Sequence, residues 1–299
     1  MRKLLLPLPA HSYRFELLLA FVRRIAHPAR LVVQDGALWR FTGGRLLSYR
    51  QAGEAITVCG DGWNAEDAAA IEGKSRHCLG FCHDLTAFYE YARGDDRLWR
   101  VIEPVYGAPL FCTETVFEAL VTLIIEQHIS WKTAMRAQQT LMQIYDDGAK
   151  VGRATVYDFP MPRQLASAAP ADLKPLKITN RRIDMIIDIA SAVSSGELDL
   201  ESLAALDPQA AYERLLAIKG VGHWTANNTL GRALGLYPAM SQNDVALQAA
   251  IAHYFHDDAR LKSAQIVLDT LGEYGEFAGL AGHFTLLRWV LDRYPPISH

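Results

Sequence analysis

The sequence predicts an α+β chain, mostly helical, in which a small N-terminal antiparallel sheet precedes a helical domain. Three observations lead there. Short runs rich in β-branched and aromatic residues, broken by Asp-Gly and Gly-Gly, cluster between residues 30 and 58. Helical spacing of apolar residues dominates after Trp63, and two helical patterns meet at Gly220-Val221-Gly222. The chain has 299 residues, half of them hydrophobic and 21% charged, enough for about two domains with real cores, which excludes disorder and low-complexity scaffolding.

Phe15, Leu18, Leu19, Val22 and Ile25 recur at three and four, predicting an amphipathic helix over 13–25. Strands are expected over 30–34, 38–41, 46–49 and 55–58, turning at Asp35-Gly36, Gly43-Gly44 and Gly53. Helices follow over 65–72, 85–92 and 98–105, and no strand signal of comparable quality recurs. Thr115-Val-Phe-Glu118 reads as a capping box opening a helix through Gln127, and 131–145 and 180–193 are the next helices. Asp207-Pro208 supplies an N-cap and a first-turn proline for 210–218, and helices over 245–255, 260–271 and 283–294 complete the pattern. The expected domains are 1–83, and 84–299 with a two-helix hairpin at 208–235.

Cys59, Cys78, Cys82 and Cys112 form no even, short-spaced framework, so a reduced intracellular compartment is expected. The basic start followed by Leu4 to Pro9 imitates a leader, but its apolar run is short and carries two prolines, and a cytosolic start is expected. No stretch approaches the roughly 20 apolar residues of a membrane span. The net charge of −3 hides blocks of +7 over 1–50, −8 over 51–127, +5 over 128–182 and −7 over 183–299. Two basic blocks permit one positive face on a near-neutral molecule, as phosphate binding requires, although on charge alone solvated helix faces are the more ordinary explanation, since block charge does not say where the chain folds those blocks.

Glycines two apart at 220 and 222 allow positive φ and close backbone approach, and the helix that starts at once aims free N–H groups outward. Such a helix start is an anion site, and the arrangement reads as a helix-hairpin-helix that grips phosphate through Lys219, Gly220, Gly222, His223 and Thr225. Twenty residues beyond Trp224, the polar run Ser241-Gln-Asn-Asp244 opens a new helix. An aspartate there is ordinarily an N-cap, yet beside a phosphate-gripping hairpin it is also placed to face a deoxyribose carbon.

His77, Cys78, Cys82 and His83 put four soft ligands in seven residues, but so short a segment cannot easily wrap one tetrahedral zinc and no second ligand pair follows. Nucleotide-binding phosphate loops, dinucleotide fingerprints and the Gly-x-Ser-x-Gly elbow are absent from the sequence, which leaves nucleotide hydrolysis, redox and acyl chemistry without support.

With these residues the chain resembles the helix-hairpin-helix DNA glycosylases that carry a Gly/Pro-rich loop and an aspartate, and within them the DNA-3-methyladenine glycosylase II group. The resemblance implies that Asp244 is the catalytic carboxylate, stabilising oxocarbenium charge on the sugar. Bifunctional relatives carry a Schiff-base lysine where this chain has Trp224, which implies a monofunctional enzyme that leaves an abasic site. Trp224, Trp289 and Phe21 match pocket aromatics able to stack on a cationic alkylated purine, and His128 matches the side chain that fills the gap left by the extruded nucleotide. The pattern departs from the family at Asn228 and Val245, where tyrosines are usual, and at His128, where a leucine is usual.

The resemblance also implies a monovalent cation, Na or K, on the backbone carbonyls of Leu216, Ile218 and Val221, with no other cofactor required. No iron–sulfur cluster is expected, because no cysteine follows Cys112. The implied partner is damaged duplex DNA, with no membrane and no obligate protein partner, for a monomer in the cytosol. Oxidised or deaminated purines are an alternative substrate class, and a non-catalytic damage binder, with Asp244 only a cap, is the alternative outside enzymes.

Overall fold

The computed structural model describes residues 2–25, 30–257 and 260–296. Five strands, β1 (Arg2–Pro7), β2 (Val32–Gln34), β3 (Ala37–Thr42), β4 (Arg45–Ala52) and β5 (Ala55–Gly60), form an antiparallel sheet in the order β1-β5-β4-β3-β2. Four of these strands follow from the sequence. The first does not: the leader-like run at the start, where no strand is expected, pairs with β5, placing Leu4 opposite Val58 and burying Leu6. Leu38, Leu47, Tyr49, Ile56 and Val58 of the sheet share a core with Phe15, Leu18, Leu19 and Val22 of α1 (Phe15–Ile25).

The helices are α2 (Ala68–Cys78), α3 (Thr86–Arg93), α4 (Asp96–Ile102), α5 (Val116–Glu126), α6 (Trp131–Tyr145), α7 (Pro162–Ala166), α8 (Asn180–Ser195), α9 (Pro208–Leu216), α10 (His223–Leu234), α11 (Val245–His256), α12 (Ala264–Gly272) and α13 (Ala278–Arg293). The expected helix over 98–105 breaks at Ile102 into a 3-10 turn containing Pro104. Between α6 and α7 the structure corrects the all-helical reading. Strands β6 (Ala149–Val151) and β7 (Ala154–Val156) form a tight hairpin, and Val151 and Val156 pack on Val32, Trp39 and Phe41 of the first sheet. Three residues per strand are too few to show a period of two, which hid the hairpin in the sequence.

Thr115 caps α5 by accepting the Glu118 amide at 3.0 Å, but the reciprocal half of the expected capping box is absent. Glu118 instead accepts the Glu114 amide and forms a buried ion pair with Arg30, tying the segment before β2 to the central helix.

Two helical cores result. Helices α5, α6, α8, α9 and α10 build one around Leu120, Ile124, Ile183, Leu215 and Leu230. Helices α3, α4, α11, α12 and α13 build the other around Phe88, Leu98, Ile251, Leu271 and Phe284. Because α10 belongs to the first core and α11 to the second, the loop joining them crosses the seam, and Asp244 lies at its end.

His283 and Tyr237 hold that loop to α13 through a 2.8 Å hydrogen bond between Nδ1 and Oη. Burial pushes His283 down from its ordinary 6.5 to about 4. The unfolded chain therefore takes up this proton first, and the stability present above pH 6.5 is lost as the pH falls toward 4. Between pH 7 and 5 the contribution is about 2 kcal/mol. Urea unfolding at both pH values should show His283→Gln losing less stability over this interval than the wild type.

Candidate active site

The hairpin joins α9 to α10. Asp207 caps α9 by accepting the amides of Gln209 and Ala210, so the helix starts at Pro208 as its sequence dictates. Ala217 ends it, and Gly220 turns the chain at φ +89°, where an added Cβ would fall 2.7 Å from the Met185 sulfur. Val221 is buried in the first core. Gly222 is the N-cap of α10 in an extended conformation, with open space where a side chain would stand, so no side chain there covers the helix start. Lys219 and His223 are exposed beside it, and Thr225 is buried. His223 Nδ1 lies 2.7 Å from the hydroxyl of Tyr212, linking the two helices across the turn.

Asp244 is the N-cap of α11. Its Oδ1 accepts the amides of Ala246 at 2.8 Å and Leu247 at 3.1 Å, while Oδ2 accepts the indole N–H of Trp224 at 3.1 Å. One oxygen fastens the carboxylate to its own helix and the other reaches the hairpin helix, bringing residues 224 and 244 into direct contact across the seam. Val245, the first residue of α11, is 72% exposed, an aliphatic side chain standing free beside the carboxylate.

His128 follows α5 at φ +53°, exposed, in the turn before the Ser130 cap of α6. The turn is anchored on both sides. Gln127 Nε2 donates to the Thr225 hydroxyl at 3.0 Å and the Gly220 carbonyl at 3.4 Å, and Arg182 Nη1 donates to the carbonyls of Ile125 and Gln127 at 3.0 and 2.8 Å. The gap-filling candidate thus projects next to the phosphate-gripping candidate from a rigidly held turn. Gln127 and Arg182 had no signal in the sequence, since they contact residues 55 to 98 positions away.

Trp289 lies on α13 with its ring edge-on to His253, at a centroid distance of 5.5 Å, and with the Arg293 guanidinium 4.0 Å from its centre. His253 is nine residues along α11 from Asp244, about 13 Å of helix, so Trp289 flanks the same helix rather than touching the carboxylate. Phe21 packs from α1 against the second core, whose members include Leu247 and Leu287. Leu216 is the last residue of α9, Ile218 and Val221 lie in the turn that follows, and the Ile218 carbonyl accepts the Val221 amide at 3.0 Å. Three neutral carbonyls are a donor set suited to a monovalent ion rather than to zinc.

The soft-ligand segment at 77–83 is dispersed: Cys78 is buried, Cys82 exposed, and His77 bonds the Thr113 carbonyl. Among the described residues no group of three or more His, Cys, Asp or Glu could hold a metal, and no helix is long and apolar enough to cross a membrane.

A family model described as HhH-GPD superfamily base excision DNA repair protein matches residues 121–274, just over half the chain and all of the hairpin, loop and aspartate. The chain belongs to this superfamily. Its fold is shared along almost its whole length with a 3-methyladenine DNA glycosylase from Archaeoglobus fulgidus, at a TM-score of 0.77 and 24% identity, covering 98% of this chain and 99% of that one. A DNA-3-methyladenine glycosylase of Bacillus subtilis is 32% identical over 165 residues, 55% of this chain and 54% of that protein. DNA-3-methyladenine glycosylase 2 of Escherichia coli is 32% identical over 112 residues, 37% of this chain and 38% of that protein. The chain therefore spans about half or less of the length of these two curated relatives.

Proposed function

We propose that the protein is a monofunctional DNA glycosylase of base excision repair, hydrolysing the glycosidic bond of alkylated purines extruded from duplex DNA. The observation that carries the reading is the Trp224–Asp244 contact: a carboxylate fixed by three N–H donors, placed one helix turn from a hairpin whose N–H groups are open to a phosphate. The hairpin would hold the backbone beside the lesion, and His128 would enter the stack as the nucleotide leaves it, offsetting an unstacking cost of a few kcal/mol. Breaking the C1′–N bond sends its electron pair to the departing base and leaves positive charge on the sugar. The Asp244 carboxylate stabilises that charge, and a water adds through its oxygen to C1′ and gives up one proton to solvent, leaving a hydroxyl there.

The indole of Trp224 offers its face to a cationic purine, a contact of about 0.5–2 kcal/mol. With tryptophan where a lysine would form a Schiff base, the product is an intact strand with an abasic site. Backbone carbonyls of Leu216, Ile218 and Val221 would hold a monovalent cation facing the gripped phosphate. Because these would be backbone donors set beside the gripped phosphate and apart from the carboxylate, exchanging Na for K is expected to alter duplex affinity rather than chemistry.

The reading is tested by release of free base from duplexes carrying 3-methyladenine, 7-methylguanine, hypoxanthine or 8-oxoguanine. Release of the methylated bases, with strand breaks only after alkali, is the expected result. Preferential release of 8-oxoguanine or hypoxanthine would move the substrate to oxidised or deaminated purines, and strand cleavage without alkali would overturn the monofunctional assignment. A protein that binds duplex tightly and releases nothing is a damage binder.

A further inference from the structure

Residues 224, 227 and 228 of α10 share one helix face, and all three make contacts that bear on the loop ending at Asp244. Trp224 reaches Asp244 itself. Asn227, only 4% exposed, has both ends of its amide occupied: Nδ2 donates to the Ser241 hydroxyl at 2.9 Å and Oδ1 accepts the Ala239 amide at 3.2 Å. Asn228 donates to the same Ser241 oxygen at 3.3 Å and to the Trp224 carbonyl at 2.8 Å. Ser241 in turn accepts the Asp244 amide on its carbonyl at 2.8 Å. Two hydrogen bonds, joined through the covalent frame of Ser241, thus link a buried amide on α10 to the backbone of the carboxylate.

We propose that Asn227, acting through Ser241, is a positioning residue that sets where the Asp244 carboxylate stands across the seam between the two cores. This rests on the glycosylase reading for its consequence in rate, but not for its geometry. The caps on Oδ1 orient Asp244 relative to α11, which belongs to the second core, and the α10 contacts orient it relative to the hairpin. Of these, the Trp224 indole is one half-buried donor, whereas the Asn227 amide is buried and doubly bonded, so its geometry has the least freedom. A buried amide leaves the helix as a rigid strut at 239 and 241, and Asp244 follows from the tight turn that its own amide closes.

Two readouts test this on the full chain. In single-turnover base release, Asn227→Ala and Ser241→Ala should each slow the reaction, by up to about a hundredfold, with duplex affinity nearly unchanged, as expected when a reacting group is misplaced by about 1 Å. Ser241→Thr keeps the oxygen acceptor and should restore the rate. In an Asp244→Asn background, Asn227→Ala should have little further effect, because it acts through the lost carboxylate. Independently of activity, amide hydrogen exchange at Ala246 and Leu247, whose N–H groups bond Asp244, should accelerate in Asn227→Ala and Ser241→Ala while that at Leu230 and Ala233 stays slow. Unchanged exchange at Ala246 and Leu247 in both variants overturns the proposal, as does a rate loss that persists undiminished in the Asp244→Asn background. If the wild type releases no base from any lesion, the glycosylase reading falls, and the exchange measurement still decides whether Asn227 holds Asp244.

Discussion

Asp244→Asn is expected to lower the single-turnover rate of base release by about 10²–10³ while leaving duplex affinity and thermal stability nearly unchanged. The asymmetry follows from how the two carboxylate oxygens are used. Asparagine can place its amide oxygen where Oδ1 now accepts the Ala246 and Leu247 amides, and asparagine caps helices about as well as aspartate, so α11 keeps its start. The other position then carries an NH2 group facing the Trp224 indole N–H, which is a repulsive pair, and the negative charge that would face the sugar is gone. A carboxylate serving only as a cap would show no such rate loss. Base release and melting temperature, measured on the same two preparations, separate the roles.

Glu118→Ala is expected to cost about 3–5 kcal/mol, a large part of the 5–15 kcal/mol that typically holds a protein together, and to lower the melting temperature by roughly 10 °C. Glu118 and Arg30 are both buried and paired with each other. Desolvation already holds the Arg30 guanidinium below its ordinary value, and Arg40 and Arg232 push it the same way, with Glu118 opposing them. Removing the carboxylate leaves Arg30 buried among like charges and also frees the Glu114 amide that Glu118 accepts. The double variant Arg30→Met with Glu118→Leu removes both charges and should recover much of the loss. Calorimetry on the single and double variants checks this, and equal stability of wild type and Glu118→Ala would mean that the pair does not join sheet to helix energetically.

What the sequence made legible was what neighbours in sequence decide. The Asp207-Pro208 start, the Gly220-Val221-Gly222 turn and the Asp244 cap depend on residues within a turn of one another, and each stands where its pattern puts it. The strand β1 was obscure because its partners in β5 lie 48 to 58 positions away, and the hairpin of β6 and β7 because each strand is three residues long. In the site, Asp244 could be singled out by its place at a helix start beyond the hairpin and Trp224 by the family resemblance, but their hydrogen bond could not, since it depends on how two separate cores meet. The same holds for Gln127, Arg182 and Asn227, polar residues whose partners are set by tertiary packing and whose local sequence reads as ordinary helix surface. Trp289 and Phe21 were placed on elements that do border the second core, and Trp289 was found beside His253 and Arg293.

If Asp244 stabilises positive charge on the sugar, a duplex carrying a protonated pyrrolidine in place of the lesion's deoxyribose imitates that charge, and a neutral tetrahydrofuran of the same shape does not. Transition-state mimics bind about 10²-fold or more tightly than uncharged counterparts when a site is built for the charge. The affinities of wild type and Asp244→Asn for these two duplexes are the measurement to make. A strong preference of the wild type for the pyrrolidine, collapsing in Asp244→Asn, is the expected result. Equal affinity of the wild type for both duplexes would mean that the carboxylate between α10 and α11 faces no developing charge, and that the seam is not the reactive site.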